Sequence, residues 1–169
     1  MDLQKLSQQL KEKNWKNIKH NSVFCDYQFD ITAERMHLLF VKWYVLIKTV
    51  PYLDEKTLKT QLQIFKEISS KSKSMWIGKM FLYVIVAGGI DKNLEPQIRG
   101  DQWPISINAW FTMAGSSPRM QIVPTRIYGG GGNLMAYDEE NMIVYGEIPS
   151  IPWDVKKYSE QLRDMLEPE

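Results

Sequence analysis

"KMFLYVIVAGG", Lys79 to Gly89, decides how this chain folds. From Met80 to Ala87 no side chain carries a charge or a wholly polar group, so neither face of the segment is left for water. A strand of that kind needs cover on both sides and belongs at the centre of a sheet. The run is also far too short to span a bilayer. Gly88 and Gly89 end it.

Upstream, "HLLFVKWYVLIKTV" (His37–Val50) is rich in β-branched and aromatic residues and reads as a second strand, stopped by Pro51. Asp54 then caps a helix in which Leu58, Leu62, Phe65 and Ile68 share one face to about Ser70. Before these, "SVFCDYQFDI" (Ser22–Ile31) alternates at period two and reads as one strand, with Cys25 as a small inward residue and "ITAER" turning away from its end. Leu3, Leu6 and Leu10 recur at helical spacing and predict an amphipathic helix that ends near Asn14.

Downstream, "DKNLEPQIRGDQWP" reads as a polar connection with room for one helical turn. "ISINAWFTMAG", "RMQIVPTRIY", "NLMAYD" and "MIVYGEI" predict three or four short strands, with "DEEN" (Asp138–Asn141) as a solvated turn. A final helix starts near Pro152 and carries Val155, Tyr158, Leu162 and Met165 as its apolar stripe. The order predicts an α+β (mixed α/β) fold: a single central mixed sheet with N-terminal and C-terminal helices packed against it. No repeat, low-complexity tract or linker divides the chain, so residues 1–169 read as one domain.

The net charge is +1, but residues 1–80 carry 14 Lys/Arg against 8 Asp/Glu, and residues 81–169 carry 7 against 12. A basic half suits nucleic acid or an acidic partner, although a solvated helix face accounts for many of the same lysines. Cys25 is the only cysteine, so no intrachain disulfide forms, and no signal-peptide pattern opens the chain; a cytoplasmic location without a membrane is expected.

Chemistry-bearing motifs are sparse. His20 and His37 have no clustered Cys or carboxylate, which argues against zinc. No Ser or Cys has an evident His/Asp partner in the sequence. Gly129–Gly132 in "IYGGGGNLMAY" lacks the following helix and Lys that a phosphate cradle needs, so it reads as a flexible connection between strands.

One constellation has a mechanism attached. Asp30 closes "DYQFD", Glu34 follows in "ITAER", and Lys48 returns in "WYVLIK", 18 residues after Asp30, ahead of a helix and the strand "FLYVIVA". This order over residues 22–90 resembles the core of the restriction-endonuclease-like superfamily. The resemblance implies Asp30, Glu34 and Lys48 as catalytic residues, Asp30 and Glu34 as ligands of Mg²⁺, and Lys48 as the group that orients or deprotonates water. The chain departs from that pattern at Leu46, where an acid is expected two residues before the lysine and a neutral side chain cannot ligate a metal.

That departure points to a non-cleaving copy. The expected function is a non-enzymatic protein-interaction or assembly domain without a cofactor, binding a protein partner or another copy of itself. Its aromatic anchors would come from "WYVL", "QWPISINAWF" and "SIPWDV". The alternative is a nuclease-fold nucleic-acid-binding or Mg-dependent phosphodiesterase-type protein.

Overall fold

The computed structural model describes residues 2–37, 41–72, 78–94, 98, 111–113, 122–124, 131–145 and 153–166. Helix α1 (Leu3–Glu12) is capped by Asp2, whose carboxylate accepts from the Gln4 N–H at 2.8 Å. It stops where Asn14 takes a φ of 64°; the Asn14 N–H then reaches the Lys11 carbonyl and the Trp15 N–H reaches the Leu10 carbonyl. This is the Schellman arrangement with Asn in place of the usual Gly, and Trp15 and Leu10 join the same core.

Strands β1 (Lys16–Phe24) and β2 (Tyr27–His37) form a hairpin joined by Cys25 and Asp26, with φ of 48° and 72°. The single strand expected over Ser22–Ile31 is therefore two. Two positive φ values match the twist that a two-residue hairpin requires, and Phe24 pairs with Tyr27 across it. Nor does "ITAER" turn away: it continues β2, because its register with β3 (Val41–Val50) runs unbroken from Ile31↔Ile47 to His37↔Val41. Asn21 (φ 46°) lies between the pairs His20↔Ile31 and Ser22↔Phe29, and beside it Phe29 and Ile31 serve opposite cores.

Helix α2 (Glu55–Lys71) follows, with Asp54 accepting from the Thr57 N–H at 2.7 Å. It crosses over to β4 (Gly78–Ala87), which lies parallel to β3. A single 3-10 turn (Lys92–Leu94) comes next. Strands β5 (Phe111–Met113) and β6 (Ile122–Pro124) pair with each other as a separate two-stranded sheet among the described residues. Strand β7 (Gly131–Asp138) runs parallel to β4, β8 (Ile143–Tyr145) is antiparallel to β7, and α3 (Trp153–Leu166) ends the described chain. Gly131 and Gly132 are thus ladder residues, paired with Met80 and Phe81, and not a connection; Gly129 and Gly130 lie outside the described residues.

The protein is an α+β fold built on one mixed six-stranded sheet, in the order β1-β2-β3-β4-β7-β8. One face packs Trp43, Val45, Ile47, Leu82 and Val84 against Leu6 and Leu10 of α1 and Tyr158 and Leu162 of α3. The other packs Leu46, Phe81, Tyr83 and Ile85 against Leu58, Phe65 and Ile68 of α2. Strand β4 is covered on both sides, as its all-apolar sequence requires. Among the described residues no helix is long and apolar enough to cross a membrane.

Candidate functional site

Asp30 and Lys48 are the residues next to the Ile31↔Ile47 pair on adjacent strands. The Asp30 Oδ2 accepts from the Thr49 backbone N–H at 2.6 Å, so this carboxylate ties β2 to β3. Glu34 is not brought to them. It lies four residues further along β2, about 13 Å away at the rise of an extended strand. The Glu34 carboxylate turns to Lys42 and Asn17, and that of Asp30 to Thr49. Among the described residues no group of three or more His, Cys, Asp or Glu is placed to hold a metal.

Between these positions Leu46 pairs with Thr32 and is 0% exposed beneath α2. The acid-to-Leu departure read in the sequence is therefore a packing choice: this position is an anchor of the core.

Glu34 has its own surroundings. Its Oε2 meets the Lys42 ammonium at 2.6 Å, and its Oε1 accepts from the Asn17 side-chain amide. Burial pushes the Glu34 carboxyl upward, but the bonds from Lys42 and Asn17 and the charge of Lys19 outweigh it and hold the group below the usual carboxylate range. Lys42 is raised chiefly by its bond to Glu34, against desolvation. The pair lies beside a cleft of about 230 Å³ lined by Asn17, Lys19, Ser22, Thr32, Glu34 and Tyr44, among others, in which the Ser22 and Thr32 hydroxyls bond at 2.8 Å. Neither Asp30 nor Lys48 lines that cleft. Glu34 is spent on holding β1, β2 and β3 in register.

A Ser–His contact that the sequence did not show does exist: Ser7 Oγ lies 3.0 Å from His20 Nε2, joining α1 to β1. Cys25, at the hairpin turn instead of inside a strand, has its Sγ 3.4 Å from the Ser72 hydroxyl at the end of α2. Lys71 meets Asp26 at 3.0 Å beside it.

The features that point outward gather elsewhere. Strands β3, β4 and β7 all end at one rim, where the Gly88 N–H donates to the Val50 carbonyl, the Leu53 N–H to the Gly89 carbonyl, and the Glu139 N–H to the Ala87 carbonyl. Gly89 admits side chains on its open side: a Cβ there would lie 2.9 Å from Glu140 Oε2 and 3.2 Å from the Tyr52 ring. The buried Asp138 shapes the turn by accepting from the Glu140 and Asn141 N–H groups. Tyr52 is left 52% exposed, Met142 60% and Ile143 45%. Carboxylates of Asp91, Glu139 and Glu140 belong to the same loops. Sequence reading missed these three side chains because Met142 leads into the apolar strand that Ile143 opens and Tyr52 stands among apolar neighbours, so nothing local marks them as outward.

The aromatic anchors expected from sequence fare differently. Trp43 of "WYVL" is wholly buried in the core. Trp103 and Trp110 lie outside the described residues, as does the side chain of Trp153. No family model matches the chain, and neither a curated protein nor a solved structure matches it.

Proposed function

We propose that this protein is a non-enzymatic binding or assembly module that works through the rim where β3, β4 and β7 end. The observation that carries the reading is the exposure of Tyr52, Met142 and Ile143 in the loops, and at the start of β8, beside strand ends held together by backbone bonds. Large apolar side chains grouped on a rigid frame are the usual anchors of an interface, and carboxylates around them supply the polar border. The inward use of Asp30 and Glu34 supports the same reading, since both are engaged in holding strands together.

A photo-reactive benzophenone side chain placed at position 52, with position 59 on the exposed face of α2 as control, tests it in cells that make the protein. Discrete higher-mass adducts form from position 52 and none from position 59. An absence of adducts from 52, or one pattern from both positions, removes the reading.

A second reading has one observation in its favour, Asp30 beside Lys48 on adjacent strands, followed by α2 and β4. It makes the chain a nucleic-acid-binding protein of nuclease-like build. Such a protein retains an oligonucleotide at about 50 mM salt and loses roughly a thousandfold in affinity by about 200 mM. No retention at low salt ends that alternative.

A further inference from the structure

Strands β1 and β8 are the two outer strands of the six-stranded sheet, and they carry opposite chemistry. Around β1 the side chains of Lys5, Lys11, Lys13, Lys16 and Lys19 are exposed, and among the described residues none is in an ion pair. Acids on the same elements are occupied: Asp2 caps α1, Glu12 accepts from Gln8, and Glu34, which the charge of Lys19 also stabilises, is held by Lys42. One large apolar side chain, Val23, stands 69% exposed at the end of the same strand. On the opposite side, β8 and the turn before it offer Met142 and Ile143 with Glu139 and Glu140, and Tyr52 rests beside Glu140.

These two surfaces are complementary in charge, and each carries exposed apolar area. Four strands separate them, so they cannot meet within one chain. We infer that they meet between chains: the basic β1 side of one copy docks on the acidic, apolar β7–β8 rim of the next. The inference rests on the binding-module reading above and names its partner as a second copy of this chain.

The contact is made by side chains and not by extension of the sheet. Asn17 and Asn21 in β1 take φ of 49° and 46°, and the register with β2 shifts between Lys16 and Lys19. Such a bulged, lysine-bearing outer strand resists adding another strand while leaving its charges free to pair. Because the two docking surfaces differ, the association is head-to-tail and does not close on itself as a two-fold dimer does. Opposite charges set its direction and its dependence on salt.

Sedimentation velocity of the purified chain tests this with two double variants. Lys11→Glu with Lys16→Glu disables the basic side, and Glu140→Lys with Met142→Lys disables the acidic rim. At about 0.1 M salt the wild-type mass rises with concentration without a plateau, and at about 1 M, where screening acts within about 3 Å, it falls to that of the 19.8 kDa chain. Each variant alone stays at that mass. Their equimolar mixture associates again, because each variant keeps the surface that the other lacks and the reversed charges at 11 and 16 oppose those at 140 and 142. The neutral pairs Lys11→Gln with Lys16→Gln and Glu140→Gln with Met142→Gln leave only one matching set, so each stays at the mass of one chain alone and their mixture stops at a one-to-one pair. A wild type that stays monomeric at low salt overturns the self-association. If position 52 still forms adducts with another protein, the module reading survives that result. Variants that associate alone, or a mixture that stays monomeric while wild type associates, overturn the assigned surfaces.

Discussion

Replacing Leu46 by Glu restores the acid that the nuclease-like pattern expects, and its energetic consequence follows from where Leu46 sits. The side chain is 0% exposed and packs in the core under α2 with Phe81, Tyr83 and Phe65. Truncation to Ala removes three buried carbons and leaves a cavity, for a loss of about 3 kcal/mol. At a slope of about 2 kcal/mol per molar, that lowers the urea midpoint by about 1.5 M. Leu46→Glu adds a carboxyl with no designed partner, whose pKa in such a site rises by about three units, worth about 4 kcal/mol at pH 8. With the lost apolar burial of about 2 kcal/mol, the total approaches the whole stability of an ordinary domain. The pKa raised in the folded state means that this penalty shrinks as pH falls, so Leu46→Glu recovers part of its stability near pH 4 to 5 while Leu46→Ala does not. Urea denaturation of both variants at pH 8 and pH 5 measures this. A loss below about 1 kcal/mol for Leu46→Glu at pH 8, with no pH dependence, refutes the argument and makes position 46 an open, solvated site.

The other predictions concern the contacts that hold the sheet together and shape its rim. Glu34→Gln costs under about 1 kcal/mol at pH 7, because the Glu34–Lys42 pair is only half-buried. Glu34 has a depressed folded-state pKa, so its contribution is present above its unfolded value near 4.3 and disappears as pH falls through the folded value; thermal melts of the two proteins converge at acid pH. Tyr83→Phe removes the donor to Gln61 Oε1, a 2.7 Å bond between buried groups, and the orphaned acceptor costs about 1–3 kcal/mol in urea denaturation. Gly88→Ala drives a methyl to 2.6 Å from the Pro51 carbonyl oxygen and costs about 1–3 kcal/mol. Gly89→Ala meets only the side chains of Glu140 and Tyr52, which can swing away, so it loses less stability than Gly88→Ala but weakens the adduct from position 52.

Much of the frame was legible because single elements declare their surroundings. The apolar run of β4 announced a strand covered on both faces, and Leu58, Leu62, Phe65 and Ile68 behind the Asp54 cap announced α2. The β1–β2 hairpin was hidden because a two-residue turn preserves the alternation on either side of it, and Cys25 is not a residue that signals positive φ. The strand character of Gly131 and Gly132 comes from pairing with β4, and glycine carries no side chain through which a sequence could show it. "ITAER" became strand through its neighbours: Glu34 is held by Asn17 of β1 and Lys42 of β3, contacts that register creates and spacing does not reveal. Asp30 turns its carboxylate to the Thr49 N–H, which its order in the chain does not reveal. The rim side chains at positions 52, 142 and 143 are meaningful only once three loops meet at the ends of parallel strands.

Asp30 and Glu34 hold strands together and not a metal ion, and melting with and without Mg²⁺ or Mn²⁺ distinguishes the two roles. An ion held by Asp30 at about 100 times its dissociation constant stabilises by about 2.7 kcal/mol, which raises Tm by about 5–10 °C for a chain of this size. Asp30→Ala would abolish that rise. Asp30→Ala instead lowers Tm by the same amount with and without the ion, through loss of the Thr49 N–H bond. A metal-induced rise of several degrees in the wild type that vanishes in Asp30→Ala contradicts it.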